Sequence, residues 1–152
     1  MIRYYEVKDL PSLLEIHRTI LDTISLPAYF NWSAEAFTDE LSKAKTIVYI
    51  DIQKQLLGFI SFRKNSDAFE ISVLGTRRTS QGKGVMTELI QYLQSYAAEQ
   101  NKVIWLEVHE KNHGALRTYT KNAFELGYKR KNYYSDGASA CVLTWKSPPH
   151  IK

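Results

Sequence analysis

The stretch Val103-Ile104-Trp105-Leu106-Glu107-Val108 constrains the fold most. It is almost continuously apolar, as expected for a strand covered on both faces. A sheet holding such a strand needs a layer of structure on each side, which points to an α/β architecture. Residues 9–22 read as a helix, with Asp9 as N-cap, Pro11 in the first turn, and Leu13, Leu14, Ile16, Ile20 and Leu21 as the apolar stripe. Leu26-Pro27-Ala28 reads as loop. Ser33 opens a second helix to about Lys43, with Ala36, Phe37 and Leu41 inward and Glu35 and Glu40 outward. Residues 46–52, 56–63 and 68–74 then form an antiparallel meander joined by short polar turns. A polar, basic segment at 76–84 leads into an amphipathic helix to about Gln100. Beyond the apolar strand, Asn112 caps a helix to about Asn122. Residues 128–134 and 140–145 are the last two strands, turned at Asp136-Gly137. The order is ααβββαβαββ, a mixed and mostly antiparallel sheet flanked by helices.

The 152 residues suit one domain, read as 1–147 with a short tail at 148–152. The lone cysteine, Cys141, leaves no partner for an internal disulfide and none for a multi-cysteine zinc site. Residues 1–6 carry charge where a signal peptide has its apolar stretch, and no apolar run approaches about 18 residues. A cytoplasmic protein without a membrane span is the expectation. A net charge of +4 admits an anionic partner without naming one, and ten of the aromatic residues are Tyr.

Three places carry candidate chemistry. In Gln81-Gly82-Lys83-Gly84-Val85-Met86, glycines precede a helix, so backbone N–H groups and the helix dipole can meet an anion, with Arg77, Arg78 and Lys83 adding positive potential. The segment has neither the Walker order nor the dinucleotide glycine spacing. The plain alternative is a glycine turn with solvated basic residues. Second, Glu107 interrupts the apolar strand, on the face of Val103, Trp105 and His109. Apolar burial would raise its pKa and suit a general base, unless it already emerges into solvent at the strand end. Third, Asn112 and Tyr119 stand two helical turns apart, and a phenol can give a proton to a departing thiolate. His109 is the alternative base. His17 reads as a surface residue and Cys141 as inert core, and Lys129-Arg130-Lys131 reads as a solvated edge. No histidine has metal-ligand spacing.

Together these pieces resemble the GCN5-related N-acetyltransferase superfamily over nearly the whole chain. Gln81, Gly84 and Met86 fall on the defining places of its Q/R-x-x-G-x-G/A motif, with Met86 where the motif has Gly or Ala. Asn31-Trp32-Ser33-Ala34-Glu35-Ala36-Phe37 looks like the "PWS…F" segment of the RimI-type ribosomal-protein N-terminal alanine acetyltransferases. The line from Trp105-Leu106-Glu107-Val108 through Asn112, Ala115 and Tyr119 to Ala123-Phe124 is similar to that group's "WLEVR..SN..A..LY…GF". Thr118 there replaces Leu, and Ala123 replaces Gly. Residues 129–134 resemble its "RRNYY". Gly75-Thr76-Arg77-Arg78 and Ala138-Ser139 depart from the group's usual residues.

The resemblance implies acetyl-CoA as acetyl donor, no metal, and a sheet splayed after Leu74, Gly75 and Thr76, where pantetheine pairs as a half-strand. Gly82, Lys83, Gly84, Val85, Met86 and Thr87, following Gln81, would hold the pyrophosphate, and Asn112 would position the cofactor. Glu107 would deprotonate the acceptor amine and Tyr119 would protonate the CoA thiolate. The expected acceptor is the N-terminal α-amine of a protein, a ribosomal protein beginning with Ala. It would be held in a groove between residues 26–32 and the hairpin near Tyr133, with Trp32, Tyr133 and Tyr134 on the acceptor side. A small amine is the nearest rival acceptor. A nucleic-acid-binding module would leave the glycine turn and Glu107 idle, and a CoA sensor is the other non-enzymatic reading; neither nucleic acid nor membrane is expected as a partner.

Overall fold

The computed structural model describes residues 1–23 and 32–148. Its elements are β1 (Ile2–Tyr4), α1 (Leu10–Thr23), α2 (Ala34–Lys43), β2 (Lys45–Ile50), β3 (Leu56–Lys64), β4 (Ala68–Thr76), α3 (Val85–Glu99), β5 (Val103–His109), α4 (His113–Lys121), β6 (Glu125–Arg130) and β7 (Ala140–Trp145). The strands form one seven-stranded sheet in the order β1-β2-β3-β4-β5-β7-β6. Every neighbouring pair is antiparallel except β4 with β5. The architecture is the expected mixed α/β one, with β1 as an added edge strand. The loop at Leu26-Pro27-Ala28, residue Asn31 and residues 149–152 lie outside the described residues.

Two apolar layers sandwich the sheet. On one face, Val85, Leu89, Leu93 and Ala97 of α3 pack with Phe62, Phe69, Ile71, Ile104, Leu106 and Val108. On the other, Leu13 and Ile16 of α1 and Phe37 and Leu41 of α2 meet Val48, Ile50, Phe59 and Val73. This second layer lies on β2, β3 and β4. It leaves the Val103, Trp105 and Glu107 side of β5 half-buried, while Ile104, Leu106 and Val108 are buried. The expectation of equal cover on both faces of that strand is therefore corrected. The half-covered side becomes one wall of a cleft.

Several local readings change for identifiable reasons. Asp9 does not cap α1. It closes a 3-10 turn at Val7–Asp9 by accepting from the Glu6 N–H, and takes both Arg3 guanidinium nitrogens at 2.8 Å. Ser33 caps α2 as expected, its Oγ accepting from the Ala36 N–H at 3.1 Å. Ala36 itself is exposed. Glu40 faces inward and is only 4% exposed, because Arg63 of neighbouring β3 donates to it through Nε at 2.9 Å. His17 is buried as well, stacked 4.9 Å from Phe37, with Nε2 2.6 Å from the Trp32 carbonyl oxygen. The penultimate strand is Glu125–Arg130, not 128–134. All its residues are exposed, and an edge strand without a buried side shows no apolar alternation.

Candidate active site

The parallel pair β4–β5 holds only from Ala68↔Val103 to Glu70↔Trp105. Past Glu70, β4 continues along β3 to Thr76, while β5 follows β7 to His109. The two strands part into a V, so Ile71 to Thr76 have no strand partner on the β5 side. This parting begins at Glu70, earlier in the strand than the expected point after Leu74. A cleft of 1190 Å³ occupies the V, with Leu74, Gly75 and Thr76 on one wall and Leu106, Glu107 and Val108 on the other.

At one end lies the turn into α3. Gly82 and Gly84 have φ of +76° and +86°, where a side chain strains the backbone even though open space surrounds each Cα. Gly84 is the N-cap and brings no capping side chain, so the first N–H groups of α3 have no intrahelical acceptor and face an anion with the dipole behind them. Gln81, Gly82, Gly84, Val85, Met86 and Thr87 line this end. Met86 also packs against the core under α3. Lys83 is exposed and outside the lining. Arg77 is turned away from the turn's anion-facing side: its Nη1 donates to Glu15 at 2.7 Å and its Nε to the Leu56 carbonyl at 3.0 Å. Gly75 packs closely under α1, since a Cβ there would stand 2.6 Å from Ile20 Cδ1 and 3.1 Å from the Phe59 ring, and both side chains would have to give way.

Asn112, Tyr119 and Glu107 all line the cleft. Asn112 Oδ1 accepts from the Ala115 N–H at 3.3 Å and starts α4. Tyr119 is buried beside Phe124, ring centroids 5.7 Å apart, and burial pushes its phenol well above the ordinary range. Glu107 does not have the apolar surroundings expected for it. Its Oε1 is ion-paired with Arg130, whose Nε lies 3.0 Å away, so one residue of the basic run at 129–131 reaches the cleft carboxylate.

The cleft is also lined by the residues expected on the acceptor side. Trp32 and Tyr134 line it half-buried, and Tyr133 lines it with 52% exposure. The Glu107 charge raises the Tyr133 phenol, and burial together with the same charge pushes Tyr134 up to about 12. Four residues not anticipated from the sequence also line the cleft: Glu40, Arg63, Glu70 and Ser72. Desolvation and the neighbouring Glu107 raise the Glu70 carboxyl, whereas the Arg63 hydrogen bond holds Glu40 below its usual range. Simple alternation could not have found Glu70 and Ser72, because the register of β4 on β3 shifts at Ser72, with Ile71 opposite Phe62 and Val73 opposite Ser61. His109 is fully buried. Its Nε2 lies 2.7 Å from Asp136 Oδ2, and its Nδ1 accepts from the Lys111 N–H at 3.1 Å. Among the described residues, no group of three or more His, Cys, Asp or Glu is arranged to hold a metal ion.

The sequence profile of the acetyltransferase (GNAT) family matches residues 11–124. The chain belongs to that family. As a GNAT protein it is an acetyl-CoA-dependent N-acetyltransferase. A Bacillus subtilis (strain 168) protein, provisionally described as a ribosomal protein bS18-alanine N-acetyltransferase, is 26% identical over 117 residues, covering 75% of this chain and 78% of the relative. The crystal structure of the ribosomal-protein-S18-alanine N-acetyltransferase from Escherichia coli superposes with a TM-score of 0.81 at 20% identity, covering 100% of this chain and 96% of that one. Arabidopsis thaliana NAA60 in complex with acetyl-CoA gives a TM-score of 0.77 at 17% identity, over 96% and 97% of the two chains. These superpositions, over nearly the full length of each chain, show a shared fold.

Proposed function

We propose that this GNAT enzyme acetylates the N-terminal α-amine of a protein, with a ribosomal protein beginning with Ala as the first candidate. The observation that carries the reading is the shape of the cleft. It runs from the free N–H groups of α3, through the gap between β4 and β5, to an end lined by Trp32, Tyr133 and three carboxylates. An extended thioester fits the first part, and a cationic chain terminus fits the last. The description of the Bacillus subtilis relative favours the same acceptor class. Among the described residues, no helix is long and apolar enough to cross a membrane.

In this reading the backbone of Leu74, Gly75 and Thr76 hydrogen-bonds the pantetheine arm along the open edge of β4. The N–H groups from Gly82 to Thr87 receive the pyrophosphate, and Asn112 borders the arm near the thioester. Lys83 contributes its backbone only. The bound donor supplies an acetyl thioester whose carbonyl carbon is open to attack. An α-amine with pKa near 8 enters partly as ammonium. Glu107, oriented by Arg130, takes one proton from it directly or through a water and passes it to solvent. The C–N bond then forms as the C–S bond breaks. Tyr119, which stays protonated in its buried site until the thiolate develops, gives its proton to sulfur, while the acylated nitrogen sheds its second proton to solvent and an equivalent proton returns to the Tyr119 oxygen.

Acetyl-CoA turnover over short peptides differing in their first residue, with spermidine and an amino sugar alongside, tests the acceptor. Peptide acetylation with Ala first among the preferred residues is expected. Turnover of the small amines and of no peptide would sink the reading.

A further inference from the structure

We infer that His109 and Asp136 form a clasp that positions the acceptor wall of the cleft, an assignment that builds on the acceptor arm proposed above. His109 ends β5, two residues beyond Glu107, with its side chain wholly buried. A backbone N–H can only donate, and Lys111 donates to Nδ1 at 3.1 Å. Nδ1 is therefore the unprotonated nitrogen, and Nε2 carries the proton given to Asp136 Oδ2 at 2.7 Å. With both nitrogens committed, His109 could serve as a base only by giving up the Lys111 bond. Its ring lies against Tyr134, centroids 4.7 Å apart. Tyr134 meets Tyr133 edge-on at 5.1 Å, and Tyr133 lies 6.0 Å from the Arg130 guanidinium that holds Glu107.

One buried ring thus couples the loop carrying both cleft tyrosines to the strand carrying Glu107. The loop has few other ties. Asp136 Oδ1 accepts from the Ala138 N–H at 2.9 Å, and the Glu110 carboxylate accepts from the Ser139 N–H at 2.5 Å, both near the β7 end. Within the loop, the Tyr134 N–H donates to the Ala138 carbonyl at 3.1 Å and the Gly137 N–H to the Tyr134 carbonyl at 2.9 Å, a turn that holds the Tyr134 backbone and not its ring. Without the clasp, the stack of His109, Tyr134 and Tyr133 loses the side-chain hydrogen bond that ties its loop to β5. The acceptor would then bind less tightly, while the donor end at α3 is untouched.

The test is a separation of Michaelis constants, using an acceptor peptide and, in parallel, spermidine. Asp136→Ala and His109→Phe, the latter keeping the stacked ring without its hydrogen bonds, should raise the acceptor KM about tenfold and leave the acetyl-CoA KM unchanged. His109→Gln keeps an amide donor for Asp136 and should restore most of the acceptor affinity. An unchanged acceptor KM in Asp136→Ala would overturn the clasp. So would an equal rise in both KM values, which marks general loosening. Loss of the acidic limb of the kcat profile in His109→Phe would make His109 the base instead. If His109→Phe does not fold, Asp136→Ala on the exposed loop decides. Should only spermidine be turned over, the peptide reading fails while the spermidine KM still reports on the clasp.

Discussion

Glu107 and Tyr119 show how little of a residue's role lies in its identity. The apolar neighbours of Glu107 in sequence predict a dry pocket, yet the carboxylate is ion-paired with Arg130, brought in from β6. Tyr119 is one of ten tyrosines, distinguished by deep burial on α4 beside Phe124. Burial raises its pKa, so its ionisation lies above pH 10 and the phenol is neutral wherever the enzyme is active. Glu107→Gln should lower kcat at neutral pH by about a hundredfold or more while acetyl-CoA still binds, measured by kinetics and donor titration. Tyr119→Phe should slow the chemical step without moving any limb of the pH profile below pH 9. An alkaline limb below that value that vanished in Tyr119→Phe would contradict the buried, neutral phenol.

At the scale of elements, capping and turn chemistry were readable and pairing was not. Ser33 and Asn112 are N-caps in the sequence and in the structure, because a cap is a contact across three residues. The edge strand β6 and the inward-facing Glu40 were not readable, since exposure on an edge and an ion pair to another element leave no periodic trace. Ala123 marks a local cost. It follows α4 at φ +70°, a left-handed conformation that glycine adopts freely and a residue with a Cβ does not. Ala123→Gly should therefore stabilise the protein by about 1 kcal/mol, less the extra chain entropy glycine gains on unfolding, seen as a higher Tm in thermal melts. A lower Tm would mean that the Ala123 methyl makes packing contacts worth more than the strain.

For the whole molecule, the electrostatic ties between layers set the acid stability. Hydrogen bonding to Arg3 holds Asp9 below its ordinary 3.8, and Arg63 holds Glu40 below 4.5. A carboxyl depressed in the folded state contributes stability that is fully present above its unfolded value and is lost as the pH falls through its folded value. The loss from these two groups thus begins near pH 4.5 and deepens below it. Glu70 acts in the opposite sense: its raised folded pKa means that its charge weakens the native state at neutral pH, and protonation relieves this as the pH falls. Glu40→Gln should lower the Tm at pH 7 and flatten its decline between pH 5 and about 3. Glu70→Gln should raise the Tm at pH 7. Parallel Tm-against-pH curves for wild type and Glu40→Gln would remove the buried ion pair from the account of acid unfolding.

The α/β class, the run of most elements and the glycine turn before α3 follow from the sequence alone. They depend on spacing within one segment, and hydrophobic period and backbone permissiveness act over a few residues. The family resemblance was legible for the same reason, since its motifs are contiguous. Only the tertiary structure decided where the sheet opens, that α1 and α2 leave the Glu107 side of β5 half-covered, and which charges meet there. Arg130 reaching Glu107, Arg63 reaching Glu40 and Asp136 reaching His109 join residues 23 to 27 positions apart. Such contacts exist only once strands and layers are in register. What surrounds a carboxylate or an imidazole, and hence what it can do, is fixed by that register rather than by its neighbours in the chain.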